Sequence, residues 1–172
     1  GGVKAASEYI ELVAMAKESG MVTTLHTGGA SIPGSFPITG QDLIDIDPTV
    51  SFHINGGPVA IKDKYFEVVA RDTSIAMQVC TAGNLRTTIL CAEEARNHGA
   101  FDRFLIATDT PTGSGIMPLG MIYTMIQIAS LSDFDPTWMI AACTGNVAEI
   151  YDLNSGYLRS GRDADIVVID AP

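Results

Sequence analysis

Apolar and polar positions along the chain follow two periods. Alternating or continuous apolar runs cover 21–26, 49–53, 74–80 and 104–109, and each has the length of a strand. Between them, apolar residues recur three and four apart at 5–19, 60–70, 84–98, 119–129 and 137–148, which predicts helices. A helical turn is expected over 41–45 and a last strand over 164–169. Gly20 and Gly99 stand where helices should stop, and Asp135-Pro136 offers an N-cap followed by proline at the first helical position. Strand, loop and helix thus repeat four times, and such alternation predicts an α/β fold with a parallel sheet and helices outside it. The period of two puts Thr24 and His26 on the same face of the first strand.

The polar residues that could do chemistry cluster at the carboxyl ends of these strands, where α/β folds carry their sites. His26, His53 and Asp109 each stand at a strand end and are followed by turn residues. A single histidine there is an ordinary hydrogen-bonding residue. Two at equivalent positions, with a carboxylate at a third, supply convergent lone pairs from distant parts of the chain. Neutral imidazole and carboxylate suit zinc and similar divalent ions. His98 lies beside a helix-stopping glycine, complements the helix dipole there, and receives no catalytic role.

Composition narrows the partners. The 172 residues carry 10 Lys+Arg against 20 Asp+Glu, a formal charge of −10, which argues against nucleic acid and against an anionic membrane surface. Only 17% of residues are charged, and mean hydropathy is +0.24. Much of the surface is therefore expected to be covered, by a homo-oligomer partner or by the rest of a longer chain. Three cysteines, Cys80, Cys91 and Cys143, form no paired motif and lie among apolar neighbours; reduced thiols and a cytoplasmic location are the expectation. The uncharged stretch 110–132 is broken by Pro and Gly in its first half, so its apolar remainder is too short to span a bilayer and is expected to be a buried helix.

The glycine-rich segments His26-Thr27-Gly28-Gly29 and Thr112-Gly113-Ser114-Gly115 fit neither a phosphate loop nor a dinucleotide fingerprint, and read as tight connections. Asp42, Asp45 and Asp47 read as a solvated acidic edge, and the methionines as core filler.

Three features together resemble a known family: the strand ends at His26 and His53, the Ala107-Thr108-Asp109-Thr110-Pro111 segment, and the tail running from Thr144-Gly145-Asn146-Val147-Ala148-Glu149 to Gly161-Arg162-Asp163-Ala164-Asp165-Ile166-Val167-Val168. The chain resembles the amidohydrolase superfamily of metal-dependent (β/α)8-barrel hydrolases. Within it, His53-Ile54-Asn55-Gly56-Gly57-Pro58 and the segment from Thr112 to Gly120 resemble members acting on cyclic amides and enamides, such as those of nicotinate degradation.

The resemblance implies the carboxyl-terminal half of a (β/α)8 TIM barrel, strands five to eight, with the start of a small β-sandwich domain. Residues 1–154 would be the half-barrel, with Val22, Thr24, Phe52 and Met77 facing inward, and 155–172 the return into the β-domain. The first-strand His-x-His pair and the bridging Lys or Glu of strand four are not found in the sequence, so the amino-terminal half of the barrel is an implied partner. By the same resemblance His26, His53 and Asp109 bind metal, zinc and in some members iron, binuclear in the intact enzyme. Asp109 serves as general acid and base on a small acidic cyclic amide. Readings that keep the fold but change the function are a dihydroorotase-like or ring-deaminating enzyme, and a noncatalytic half-barrel used in assembly.

Overall fold

The computed structural model describes residues 5–56, 60–111, 113 and 115–169. The turn residues Gly57 and Pro58, and Thr112 and Ser114, fall outside them. The element order is α1 (Glu8–Glu18), β1 (Thr24–His26), α2 (Gly40–Ile46), β2 (Val50–Phe52), α3 (Lys64–Asp72), β3 (Ala76–Cys80), α4 (Leu85–Asn97), a 3-10 turn at Phe101–Arg103, β4 (Phe104–Ala107), α5 (Gly120–Leu131), α6 (Pro136–Cys143) and α7 (Gly145–Tyr151). The strands form one parallel sheet in the order β1-β2-β3-β4. Each neighbouring pair is joined through a helix, as parallel strands require.

The two faces of the sheet are unlike. On one, Leu25, Met77, Val79, Phe104 and Ile106 pack with Phe66, Val69, Cys91, Ile128 and Met139 from the helices, and all are buried. On the other, Val50, Ala76 and Leu105 form a small cluster with Phe52 and with Val147, Ile150 and Tyr151 on or at the end of α7. The expected inward position of Met77 is corrected here. Ser51 pairs with Met77 and Val50 with Ala76, so Met77 shares the helix-covered face with Ser51 and stands opposite to Phe52.

Several expected elements differ in extent. The first strand is a three-residue segment, although Val50 N–H still donates to Thr23 O at 2.9 Å. The predicted helix over 137–148 breaks into α6 and α7 at Thr144, whose backbone (φ −132°, ψ −85°) leaves the helical region. The strand expected over 164–169 is not formed. Its residues are irregular and exposed, Val168 to 90%. Valine and isoleucine favour a strand only where a ladder accepts their backbone, and among the described residues none runs beside this segment.

The uncharged helix α5 is half-buried, not buried. Gly120, Thr124 and Ile128 lie against the sheet, while Tyr123 and Ile126 are more than half exposed. Among the described residues, no helix is long and apolar enough to cross a membrane. The acidic edge also proves more specific than expected. Asp42 completes a capping box with Thr39, Asp45 accepts from Gln41, and Asp47 holds Lys17 at 2.6 Å.

Candidate functional site

The carboxyl ends of the strands surround one open cavity of about 400 Å³. His26, His53, Cys80 and Asp109 line it, with Ser31 and Gly113. His26 is the last residue of β1. His53 follows β2 directly, and Asp109 lies two residues past the end of β4.

Local backbone geometry aims these side chains. His53 (φ +37°) and Asp109 (φ +59°) both occupy the left-handed region, which costs a non-glycine residue energy and turns it abruptly out of the strand direction. Gly56 N–H donates to His53 O at 2.6 Å and Gly113 N–H to Asp109 O at 2.8 Å, closing each turn. Gly113 is dictated by the carboxylate it approaches. A Cβ there would lie 1.8 Å from Asp109 Oδ2. Gly28 pairs with Ile38 through two backbone hydrogen bonds of 2.9 and 2.8 Å, tying down the base of the loop that carries Ser31.

The two imidazoles touch. His26 Nδ1 lies 2.9 Å from His53 Nε2, with the rings edge to face and their centroids 4.5 Å apart. His26 Nε2 lies 2.5 Å from Gly29 O, and a carbonyl only accepts, so the proton of a neutral His26 sits on Nε2. Its Nδ1 is then a bare lone pair facing His53. Burial pushes the His53 pKa down, and the neighbouring His26 adds to this; Asp109 and the backbone carbonyls of His53 and Thr27 pull it up. The net effect keeps His53 neutral at physiological pH. Beneath the pair, Thr27 and Ser51 exchange a buried hydrogen bond of 2.7 Å.

The chemistry of this donor set fits a divalent cation. Two neutral imidazoles and a carboxylate are suitable ligands. The facing nitrogens are close enough to share one ion, since metal–nitrogen bonds run about 2.0–2.1 Å. The three predicted residues reach one cavity, but not as a tight triad. Among the described residues, no three His, Cys, Asp or Glu side chains gather into a group able to hold a metal ion. The close pair is His26–His53, with the left-handed backbone of Asp109 setting its carboxylate against Gly113.

Cys80 was not foreseen here. Its position at the end of β3 is the equivalent of His26 and His53, and that was the available signal. Burial and the Asp109 charge push its thiol up to about 11, so it presents a neutral S–H to the cavity. Asn55 was also missed as a site residue. Its buried side chain binds the Cys80 backbone from the far end of the His53 turn.

Residues 5–172 match the amidohydrolase family. The chain belongs to that family. It is 37% identical over all 172 residues to the enamidase of Eubacterium barkeri, of which it covers 45%. A crystal structure of enamidase superposes with a TM-score of 0.88 at 37% identity, over 95% of this chain and 43% of that one. The β-aspartyl dipeptidase of Fervidobacterium islandicum, solved with a β-Asp-Leu dipeptide, superposes at a TM-score of 0.61 with 17% identity, over 95% of this chain and 48% of the other, a likeness of fold alone. The chain thus spans less than half the length of the relatives it matches. This amidohydrolase chain has the TIM-barrel type of fold of its superfamily, here as an α/β arrangement on a parallel sheet.

Proposed function

We propose that this amidohydrolase chain carries the metal-facing rim of a hydrolase acting on a small cyclic amide or enamide. The observation that carries the reading is the contact between His26 Nδ1 and His53 Nε2 in the cavity that Asp109 also lines. Likeness to enamidase over the whole chain supports the enamide class. In this reading β1 to β4 are strands five to eight of a (β/α)8 barrel, and 155–172 lead into a small β-domain. The remaining strands, other ligands and a homo-oligomeric partner belong to the intact protein.

His26 and His53 would hold one divalent ion, zinc or iron, through their facing nitrogens, and Asp109 would bind through its carboxylate. When bound, such an ion would polarise an amide carbonyl and lower the pKa of its water to about 7. The side chains then divide the remaining work. The Asp109 carboxylate accepts a proton from the attacking water as the new C–O bond forms. It returns that proton to the ring nitrogen as the C–N bond breaks, leaving a carboxylic acid and a free amine nitrogen. Neutral His53 keeps its lone pair for the ion. Cys80, held as a thiol, offers a weak donor to a ring substituent.

The test is Asp109→Asn in the full-length protein, assayed on a carboxylated six-membered cyclic enamide. General acid–base action contributes about 10²–10⁴-fold, so kcat should fall at least that far while the melting temperature stays near that of the parent. Near-parental kcat would remove Asp109 from this role.

A further inference from the structure

We propose that Asn55 is the positioning residue for His53, and that it acts by supplying with its side chain the strand rung that the backbone gives up. The proposal rests on the reading of His26 and His53 as the nitrogen pair that holds a divalent ion.

Parallel pairing of β2 and β3 continues past Phe52 as far as Ile54, whose N–H donates to Gln78 O at 2.9 Å. The left-handed turn at His53, closed by Gly56, then carries the main chain away from β3. The backbone of Cys80, the last residue of β3, is left needing a donor and an acceptor on its β2 side. The Asn55 carboxamide supplies both. Cys80 N–H donates to Oδ1 at 3.0 Å, and Nδ2 donates to Cys80 O at 2.9 Å. The second Nδ2 hydrogen goes to Thr88 Oγ1 at 2.7 Å, on the first turns of α4. The Asn55 carbonyl in turn accepts from Thr87 Oγ1 at 2.9 Å and from Asn84 N–H at 3.3 Å.

This side chain is fully buried and its polar atoms are satisfied. In such a place an unpaired amide is costly and a fully paired one is rigid. The packing is close enough to fix a neighbour's identity: a Cβ on Gly83 would stand 1.9 Å from Asn55 Nδ2. Asn55 therefore locks together three things that meet at the cavity. They are the turn that aims His53, the end of β3 that carries Cys80, and the start of α4. Asparagine alone presents a donor and an acceptor side by side in this shape; aspartate has the same size but sets an oxygen against Cys80 O.

The experiment uses the metal-stripped full-length protein with Zn(II) alone as probe, and compares Asn55→Asp, Thr88→Val and His53→Ala. Zinc affinity is read by competition with a chelator. Imidazole ¹H–¹⁵N spectra of the metal-free protein read the His26–His53 contact independently. Loss of a group that hydrogen-bonds a metal ligand directly weakens metal binding about 10–100-fold. Asn55 acts through the turn and not on the imidazole, so Asn55→Asp should weaken zinc by about tenfold, the lower end of that range, and should also shift the His26 Nδ1 resonance; Thr88→Val should weaken zinc by a smaller factor. Parental affinity and parental spectra in a folded Asn55→Asp protein would overturn the proposal. So would a lowered melting temperature with both of these unchanged, which is the mark of a purely structural residue. If Asn55→Asp does not fold, Thr88→Val decides by the same two readings. Parental zinc binding in His53→Ala would instead overturn the metal reading, and the imidazole spectra would then judge the positioning role alone.

Discussion

The helix-covered face of the sheet and its opposite face obey different rules. On the first, large apolar side chains alternate along β3 and β4 and meet the inner stripes of α3, α4, α5 and α6, and water is excluded throughout. On the second, apolar packing centres on Val50, Ala76 and Leu105 under α7, while Thr24 is exposed and His26, Phe52 and Gln78 are only partly covered. The first face supplies stability. The second gives up packing, holds His53 and Asp109 in strained backbone conformations, and obtains a cavity with convergent nitrogen and oxygen atoms. Strain of this kind is tolerated only where the surroundings over-determine it. Here the Asn55 network and the Gly113 turn do so from below.

The largest test of this contrast cuts one aromatic from each face. Phe104 is fully buried on the helix side, so Phe104→Ala should cost about 3–5 kcal/mol in urea unfolding. Phe52, only partly buried on the open side, should cost less than half of that on the same substitution. Equal losses would mean that the open face is as well packed as the other, and the contrast would fail.

Thiol chemistry sharpens it next. Cys91 lies within the helix-side core, where burial pushes its thiol far up, whereas Cys80 borders the cavity with its thiol raised to about 11. A raised pKa favours the protonated form, so reactive thiolate grows only as pH rises towards that value. At pH 8 native Cys80 should alkylate about 100-fold more slowly than a free thiol of pKa 9, gain speed steadily up to pH 10, and stay ahead of Cys91 throughout. Mass-spectrometric mapping of iodoacetamide adducts measures this; faster labelling of Cys91 in the native state would reverse the assignment of faces.

How far the sequence foretold this arrangement depended on whether a signal was local. The parallel sheet, its three helical connections and the stops at Gly20 and Gly99 followed from periodicity and from residues suited to left-handed backbone. The shared cavity of His26, His53 and Asp109 followed from strand-end position together with the family resemblance. The contact between the two histidines did not, because it depends on the His53 φ of +37° and on the register that sets His26 beside Phe52, which no single segment encodes. Nor did Asn55, which reads in sequence as an ordinary turn residue and acquires its function only when Cys80 arrives from 25 positions away. Met77 was put on the wrong face because register between strands, not periodicity within one, sets which residues are neighbours. The tail at 164–169 has strand-forming residues, but propensity without a ladder does not make a strand.

The smallest expected effect comes from a helix end that touches the helix side alone. Thr39 caps α2 by accepting from Asp42 N–H at 3.2 Å, and Asp42 Oδ2 accepts from Thr39 N–H at 2.9 Å and from its hydroxyl at 2.6 Å. The reciprocal pair satisfies backbone donors that a helix start would otherwise leave to water. Behind it, Leu43 and Ile46 anchor the helix in the core. Thr39→Ala removes the cap and leaves those anchors in place, so stability should fall by about 1 kcal/mol. Neither His26 nor His53 shares a hydrogen bond with this helix start, and the loop between them is pinned separately by the Gly28–Ile38 pairing. Zinc affinity of the full-length protein should therefore stay within twofold of the parent while the urea midpoint drops. A loss of zinc binding on a par with that of Asn55→Asp would show that the helix-covered face and the site are one mechanical unit, and would break the division between them.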